Sequence, residues 1–171
     1  MVIKIKILID NYPVFGLSIY VETERHKVLF DTGSDPIVLK RIIDKEKIDP
    51  EFIVISHEHF DHIGGIFALK KPVYLPKHSS SKIKNTLKAA GYKIIEVENT
   101  IFLDDIIIFG ELYGPPYEIS LGINDNGKLI LLTGCSHPGI LKIAEKSIKE
   151  SKLEPYKVIG GFSFTRRYKN C

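Results

Sequence analysis

The 171 residues hold two cysteines, Cys135 and Cys171, too few for a secreted scaffold stapled by disulfides. No apolar run approaches the roughly 18 to 20 residues that a membrane-spanning helix needs. The amino-terminal Val2-Ile3-Lys4-Ile5-Lys6-Ile7 alternates like a strand and lacks the apolar core and cleavage site of a signal peptide. Basic residues are scattered, apart from Arg166, Arg167 and Lys169 near the end, and the formal net charge is +3. No concentrated basic face therefore marks a nucleic-acid partner, although a mild attraction for anionic small molecules remains. Repeats, low-complexity tracts and linkers are also lacking. These absences describe a cytoplasmic chain with neither a membrane nor a nucleic-acid partner. With 44% hydrophobic and 26% charged residues, its composition is that of a globular protein, and its length suits one domain spanning residues 1–171.

The first third reads as strands, at residues 2–9, 17–22 and 26–30. Ser34-Asp35-Pro36 has the capping side chain and first-turn proline of a helix start, followed by Val38, Leu39, Ile42 and Ile43 at helical spacing. Residues 52–55 form a short apolar strand. Further strands are expected at 73–75, 93–97 and 106–109, with a helix over 79–90 stopped by Gly91. Asp125-Asn126-Gly127 between 117–123 and 128–133 signals a hairpin. A helix over 138–150 and a strand around Val158-Ile159 complete the pattern. Hairpins first, then strands alternating with helices, imply an α/β sandwich with helices outside.

Chemistry concentrates directly after the strand at 52–55, in His57-Glu58-His59-Phe60-Asp61-His62. Three of the six histidines fall here, with an aspartate among them. Imidazole and carboxylate are the ligands preferred by zinc, iron and manganese. In extended backbone His57 and His59 project to one side and can reach one metal, while Asp61 and His62, after a bend, can face a second. Glu58 is expected to point outward or support the ligands, and Phe60 to pack. Gly64-Gly65 permits a close backbone approach.

The run His57-x-His59-x-Asp61-His62, continuing Ile63-Gly64-Gly65, resembles the metal-binding signature of the metallo-β-lactamase superfamily. Leu29-Phe30-Asp31-Thr32-Gly33 resembles its upstream aspartate motif, which implies that Asp31 supports the metal loop through hydrogen bonds. Thr133-Gly134-Cys135-Ser136-His137-Pro138-Gly139-Ile140 is similar to one branch of that superfamily, which includes the archaeal dihydropterin-ribofuranosyl-aminobenzene phosphate synthase. Glu111-Leu112 and Glu118-Ile119-Ser120-Leu121 share the likeness. The resemblance implies an αββα sandwich and makes His137 a metal ligand, where the bare sequence allows only a polar ring between a strand and a helix. Cys135 stands where many relatives have a metal-bridging aspartate. It is either a thiolate ligand or a buried, inert thiol. His26 and His78 lie in turns and are read as solvated.

The likeness weakens at the end. Members of the branch read Gly-Gly-Phe-His-Leu where this chain has Gly160-Gly161-Phe162-Ser163-Phe164, and they continue to a further metal-binding histidine. The expectation is a fold with an incomplete C-terminal part, an under-coordinated second metal position, and exposed sheet edges that favour a homo-oligomer. The function implied is a metal-dependent hydrolase that turns a metal-bound hydroxide on a small ester, amide or phosphate substrate, with Asp61 holding or receiving the proton. One or two divalent ions are implied, zinc first, with iron or manganese as alternatives. Lys77, Arg166 or Arg167 could attract an anionic substrate. Two other readings stand beside it: a pterin-related transferase, and a non-catalytic metal-binding remnant.

Overall fold

The computed structural model describes residues 2–162; Ser163 and the tail beyond it, with Arg166, Arg167 and Cys171, lie outside the described residues. Among the described residues eleven strands form two sheets. The first contains β1 (Lys4–Asp10), β2 (Leu17–Glu22), β3 (Lys27–Phe30), β4 (Phe52–Val54), β5 (Val73–Pro76) and β6 (Ile94–Val97), in chain order. β1, β2 and β3 are antiparallel hairpins, and β3 to β6 run parallel. Parallel neighbours need crossovers, and two helices supply them: α1 (Pro36–Glu46) between β3 and β4, and α3 (Ser81–Ala89) between β5 and β6. A single-turn helix, α2 (Phe60–Ile63), runs into a 3-10 helix over Gly64–Ala68 between β4 and β5.

The second sheet is ordered β11-β10-β9-β8-β7, from Pro155–Gly160, Lys128–Thr133, Tyr117–Asp125, Ile106–Tyr113 and Ile101–Leu103. Its strands are antiparallel except for β10 and β11, whose parallel pairing is bridged by α4 (Ile140–Ser151). The hairpin expected at 125–127 joins β9 to β10, with Asn126 and Gly127 both at positive φ as a tight hairpin turn requires.

Alternation along each strand distributes apolar side chains to both faces, and three buried layers result. Ile19, Val21, Val28, Phe30 and Val54 from the first sheet meet Ile106, Ile108, Leu121, Ile123 and Leu132 from the second. Leu29, Ile53, Val73 and Leu75 pack outward on Leu39, Ile43, Ile66 and Leu87 of the first helical layer. Phe109, Leu129 and Leu131 pack on Ile143 of α4. The result is the α/β sandwich with outer helices that the pattern implied, in the αββα form that the resemblance implied. Strands covered on both faces explain the nearly unbroken burial of β2 and β4.

Local chemistry sets the ends that matter. Asp35 caps α1, its Oδ1 accepting from the Ile37 and Val38 amides at 2.8 and 3.0 Å. Lys47 takes a left-handed conformation at the other end and returns its amide to the carbonyls of Ile43 and Asp44. Among the described residues no helix is long and apolar enough to cross a membrane.

Candidate metal centre

Asp31 follows the last residue of β3, and the segment 55–62 follows β4. These strands are parallel neighbours, so both segments leave the same edge of the sheet. Thr32 fastens them together: its amide and hydroxyl both donate to the His62 carbonyl, at 2.8 and 3.0 Å. Gly65 completes the clamp by donating to the Gly33 carbonyl at 2.9 Å. A Cβ on Gly65 would sit 2.0 Å from the Thr32 carbonyl oxygen, so this approach is open to glycine alone.

Asp31 organises the first half of the centre. It is fully buried and held at φ 58°, a left-handed conformation that aspartate tolerates better than most residues. Its Oδ1 accepts the Ser56 amide at 2.7 Å. Its Oδ2 accepts the Ser56 hydroxyl at 2.7 Å and the His62 Nδ1–H at 2.6 Å. With its proton committed to Asp31, Ser56 Oγ accepts from His57 Nδ1 at 2.9 Å. That fixes the His57 tautomer and leaves Nε2 with a lone pair. Burial pushes the Asp31 carboxyl up, and His62 and Ser56 oppose it. Desolvation would lower His62, but the Asp31 charge and hydrogen bond outweigh it, with help from Cys135, and raise it, so that a metal on Nε2 would have to displace a proton there.

Glu118 organises the other half. Buried on β9, it accepts the His137 amide and Nδ1–H on Oε2, both at 3.0 Å, and the Ser136 amide on Oε1 at 2.9 Å. His137 Nε2 is thereby left free to bind a ligand. The β9–β10 hairpin brings Glu118 beneath His137, and Gly134 lets this half approach the first. A Cβ on Gly134 would lie 2.2 Å from Ser56 Oγ and 3.0 Å from Glu118 Oε1.

The halves meet at the rings. His57 lies 4.7 Å from His59, 4.6 Å from His137 and 4.2 Å from His62 between ring centroids, and His59 lies 4.9 Å from His137. Two groups have ligand atoms mutually within 4.8 Å: His57, His59 and His137, and His57, His62 and Cys135. Cys135 Sγ is 3.2 Å from His62 Nε2. Asp61 stands beside the second group, its Oδ2 3.5 Å from His62 Nε2. A cleft of about 100 Å³ opens there, lined by Asn11, Gly16, Asp61, His62, Cys135 and Gly161.

A divalent metal fits these residues. His57 Nε2 is buried without a hydrogen-bond partner, and a buried orphan of this kind is unfavourable unless something binds it. Burial, with the neighbouring imidazoles of His62, His137 and His59, lowers His57 to about 2. The ring is thus neutral, the form that ligates. Burial also lowers His59.

The structure therefore gathers His57, His59, His62, Cys135 and His137 around one space, places Asp61 at its edge, and sets Asp31 behind it. Ser56 and the supporting contact of Glu118 escaped sequence reasoning. Glu118 lies 19 positions from its partner, and a carboxylate inside a strand carries no local signal. The expectation for Phe60 is corrected: it does not pack, but is 67% exposed, because the turn that aims Asp61 and His62 inward aims Phe60 out. Glu58, read as pointing outward or supporting the ligands, is half-buried and accepts the Ser80 amide at 2.6 Å. Neither outlying histidine is freely solvated: His26 contacts Glu51 at 3.1 Å, and His78 is bonded to Glu111.

Comparison with known proteins gives a consistent result. A family model described as the metallo-beta-lactamase superfamily matches residues 11–143. An uncharacterized protein of Methanocaldococcus jannaschii, MJ0448, is 33% identical over 92% of this chain and 78% of its own. A 7,8-dihydropterin-6-methyl-4-(beta-D-ribofuranosyl)-aminobenzene-5'-phosphate synthase of the same organism is 26% identical over 94% of this chain and 77% of its own. Among solved structures, Tm1679, described as a metal-dependent hydrolase of the beta-lactamase superfamily, superposes with a TM-score of 0.75 at 24% identity. It covers 98% of this chain and 79% of that one, a likeness of fold.

Proposed function

This chain belongs to the metallo-beta-lactamase superfamily, and from that premise we propose that it is a metal-dependent hydrolase of a small ester, amide or phosphate. The observation that carries this reading is the convergence of His57, His59 and His137, with ligand nitrogens within 4.8 Å of one another around the unpartnered Nε2 of His57. In the proposal these three hold one divalent metal. His62, Cys135 and Asp61 hold a second. Zinc suits this nitrogen and sulfur donor set best, with iron or manganese as alternatives. When bound, such a metal supplies Lewis-acid polarisation and lowers the pKa of water to near neutrality.

The protein's own part is positioning. Asp31 and Glu118 fix which nitrogen each supported histidine presents, so the ligands need little rearrangement. In this reading Asp61, the partly exposed carboxylate at the cleft, holds or receives the proton released as water attacks. A substrate reaches the site from the side of the exposed His59.

Metal content after loading, combined with hydrolysis of generic phosphodiester and thioester substrates, tests this reading. Turnover that disappears with chelation and returns with metal supports it. A protein that takes up no metal under saturating conditions refutes it. A second reading, a transferase on a pterin-type substrate, draws on the synthase match over 94% of the chain. Equilibrium binding of a dihydropterin to the metal-loaded protein favours it, and no binding discards it. Tight metal binding without turnover would leave a metal-binding domain.

A further inference from the structure

A second polar pair stands outside the ligand set, on the same edge of the sheet. β3, β4 and β5 are parallel neighbours, and Asp31, His57 and His78 follow their carboxyl ends. Adjacent strands are about 4.8 Å apart, so the His78 segment starts one strand spacing from the metal loop. The two segments are joined where the Ser80 amide donates to Glu58 Oε2 at 2.6 Å, between the ligands His57 and His59.

His78 is held on three sides. Its Nδ1 is bonded to Glu111 Oε1, and its amide donates to Glu111 Oε2 at 3.0 Å. Its ring stacks on Tyr117 at 4.8 Å between centroids. Tyr117 precedes Glu118, the residue that orients His137. The Glu111 side chain is only 5% exposed, whereas that of His78 is 48% exposed. A bulge in the β8–β9 pairing, between Phe109 and Leu112, contains Glu111. Bulges re-aim side chains, and this one places a carboxylate beneath His78. A mere tether between loops would not require a half-exposed ring on a buried carboxylate.

We propose that His78, positioned by Glu111, touches the substrate on the His57–His59 side of the metal centre and protonates its leaving group. The inference rests on the hydrolase reading above. Water gives up one proton, and the resulting hydroxide forms a bond to the carbonyl carbon or the phosphorus. The bond from that centre to the leaving-group oxygen breaks, and its electron pair stays on the oxygen. The proton on His78 Nε2 passes to that oxygen, and the proton given up by water, received first by Asp61, afterwards restores His78. Glu111 is a positioning residue: it holds Nδ1–H and so directs Nε2 outward.

The test is leaving-group dependence. Wild type, His78→Gln and Glu111→Gln are loaded with zinc and assayed on matched p-nitrophenyl and ethyl forms of the phosphodiester or ester that wild type hydrolyses. p-Nitrophenolate departs unaided and ethoxide does not. His78→Gln is expected to lower kcat on the ethyl form by about 100-fold or more, the scale of general-acid catalysis, and to leave the p-nitrophenyl rate unchanged. Glu111→Gln should show the same selectivity at smaller size. Zinc content and melting temperature should match wild type in both. Equal losses on both substrates, no loss on either, or loss of zinc would overturn the proposal. A wild-type protein that binds zinc but hydrolyses neither form fails the hydrolase reading itself, and this inference with it.

Discussion

Asp31 Oδ2 accepts the Nδ1–H of His62 at 2.6 Å, in a pocket where the two side chains are 0% and 3% exposed. The carboxylate is not at the metal position. It stands behind the ring and determines that Nε2 faces forward. Asp31→Asn keeps the shape but cannot accept from both Ser56 and His62 on one oxygen with the same strength. Metal affinity in the variant, measured by competition with a chelator, should fall by about 10- to 100-fold, the usual effect of removing such support. Unchanged affinity would show that the aspartate serves the fold alone.

Glu118 and Cys135 allow the two metal positions to be separated. Glu118→Gln weakens the hold on His137 and should lower occupancy of the position formed by His57, His59 and His137. Cys135→Ser should instead reduce occupancy of the position that includes His62. Titration with cobalt reads both, since a thiolate ligand adds a charge-transfer absorption that Cys135→Ser abolishes and Glu118→Gln retains. A band that survives in Cys135→Ser would assign the thiol no ligand role.

Gly134 is the point where the two halves of the centre touch. Gly134→Ala introduces a carbon 2.2 Å from Ser56 Oγ and must push the β10 end away from the metal loop. A loss of about 1 to 3 kcal/mol is expected, the range for overpacking a filled interior. Urea denaturation of the metal-free protein measures it. A loss near zero would mean that the two loops move apart freely.

Tyr20 gives a pH signature of the fold that is independent of the metal. Burial first, then the charge of Glu22, raises it to about 12 from an ordinary value of 10. As pH rises past 10 the unfolded chain releases this proton while the folded chain retains it. Tyr20 therefore contributes its full stability below pH 10, and loses it as pH rises through 10 to about 12. Denaturation midpoints should fall less steeply across that window in Tyr20→Phe than in wild type. Equal slopes would contradict the assignment.

The legible parts of this molecule were those whose signals are local. His57, His59, Asp61 and His62 fall within six residues, and Asp35-Pro36 carries a helix cap in two. The sandwich followed from alternation and from the hairpin at Asn126-Gly127. Other features depend on contacts that spacing does not encode. β7 has three residues and is only half buried, so its pattern is too short to show a period. The one-turn helix at Phe60–Ile63 is shorter than any periodic signal and is held by Thr32 and Gly65 from outside. Ser56 and Glu118 act only because the two sheets bring strand ends together. Phe60 was expected to pack because it alternates with the ligand positions, yet it lines an open apolar groove with Ile63, Phe67 and Leu87.

X-ray absorption at the zinc edge of the loaded protein, in wild type and in His137→Ala, tests the central claim that two strand ends together build a metal centre from histidine and cysteine. The account predicts wild-type shells of nitrogen at about 2.0–2.1 Å with imidazole scattering, and of sulfur at about 2.3 Å. His137→Ala should lose part of the imidazole signal and keep the sulfur. A shell of oxygen alone, or a spectrum that His137→Ala leaves unchanged, would contradict it.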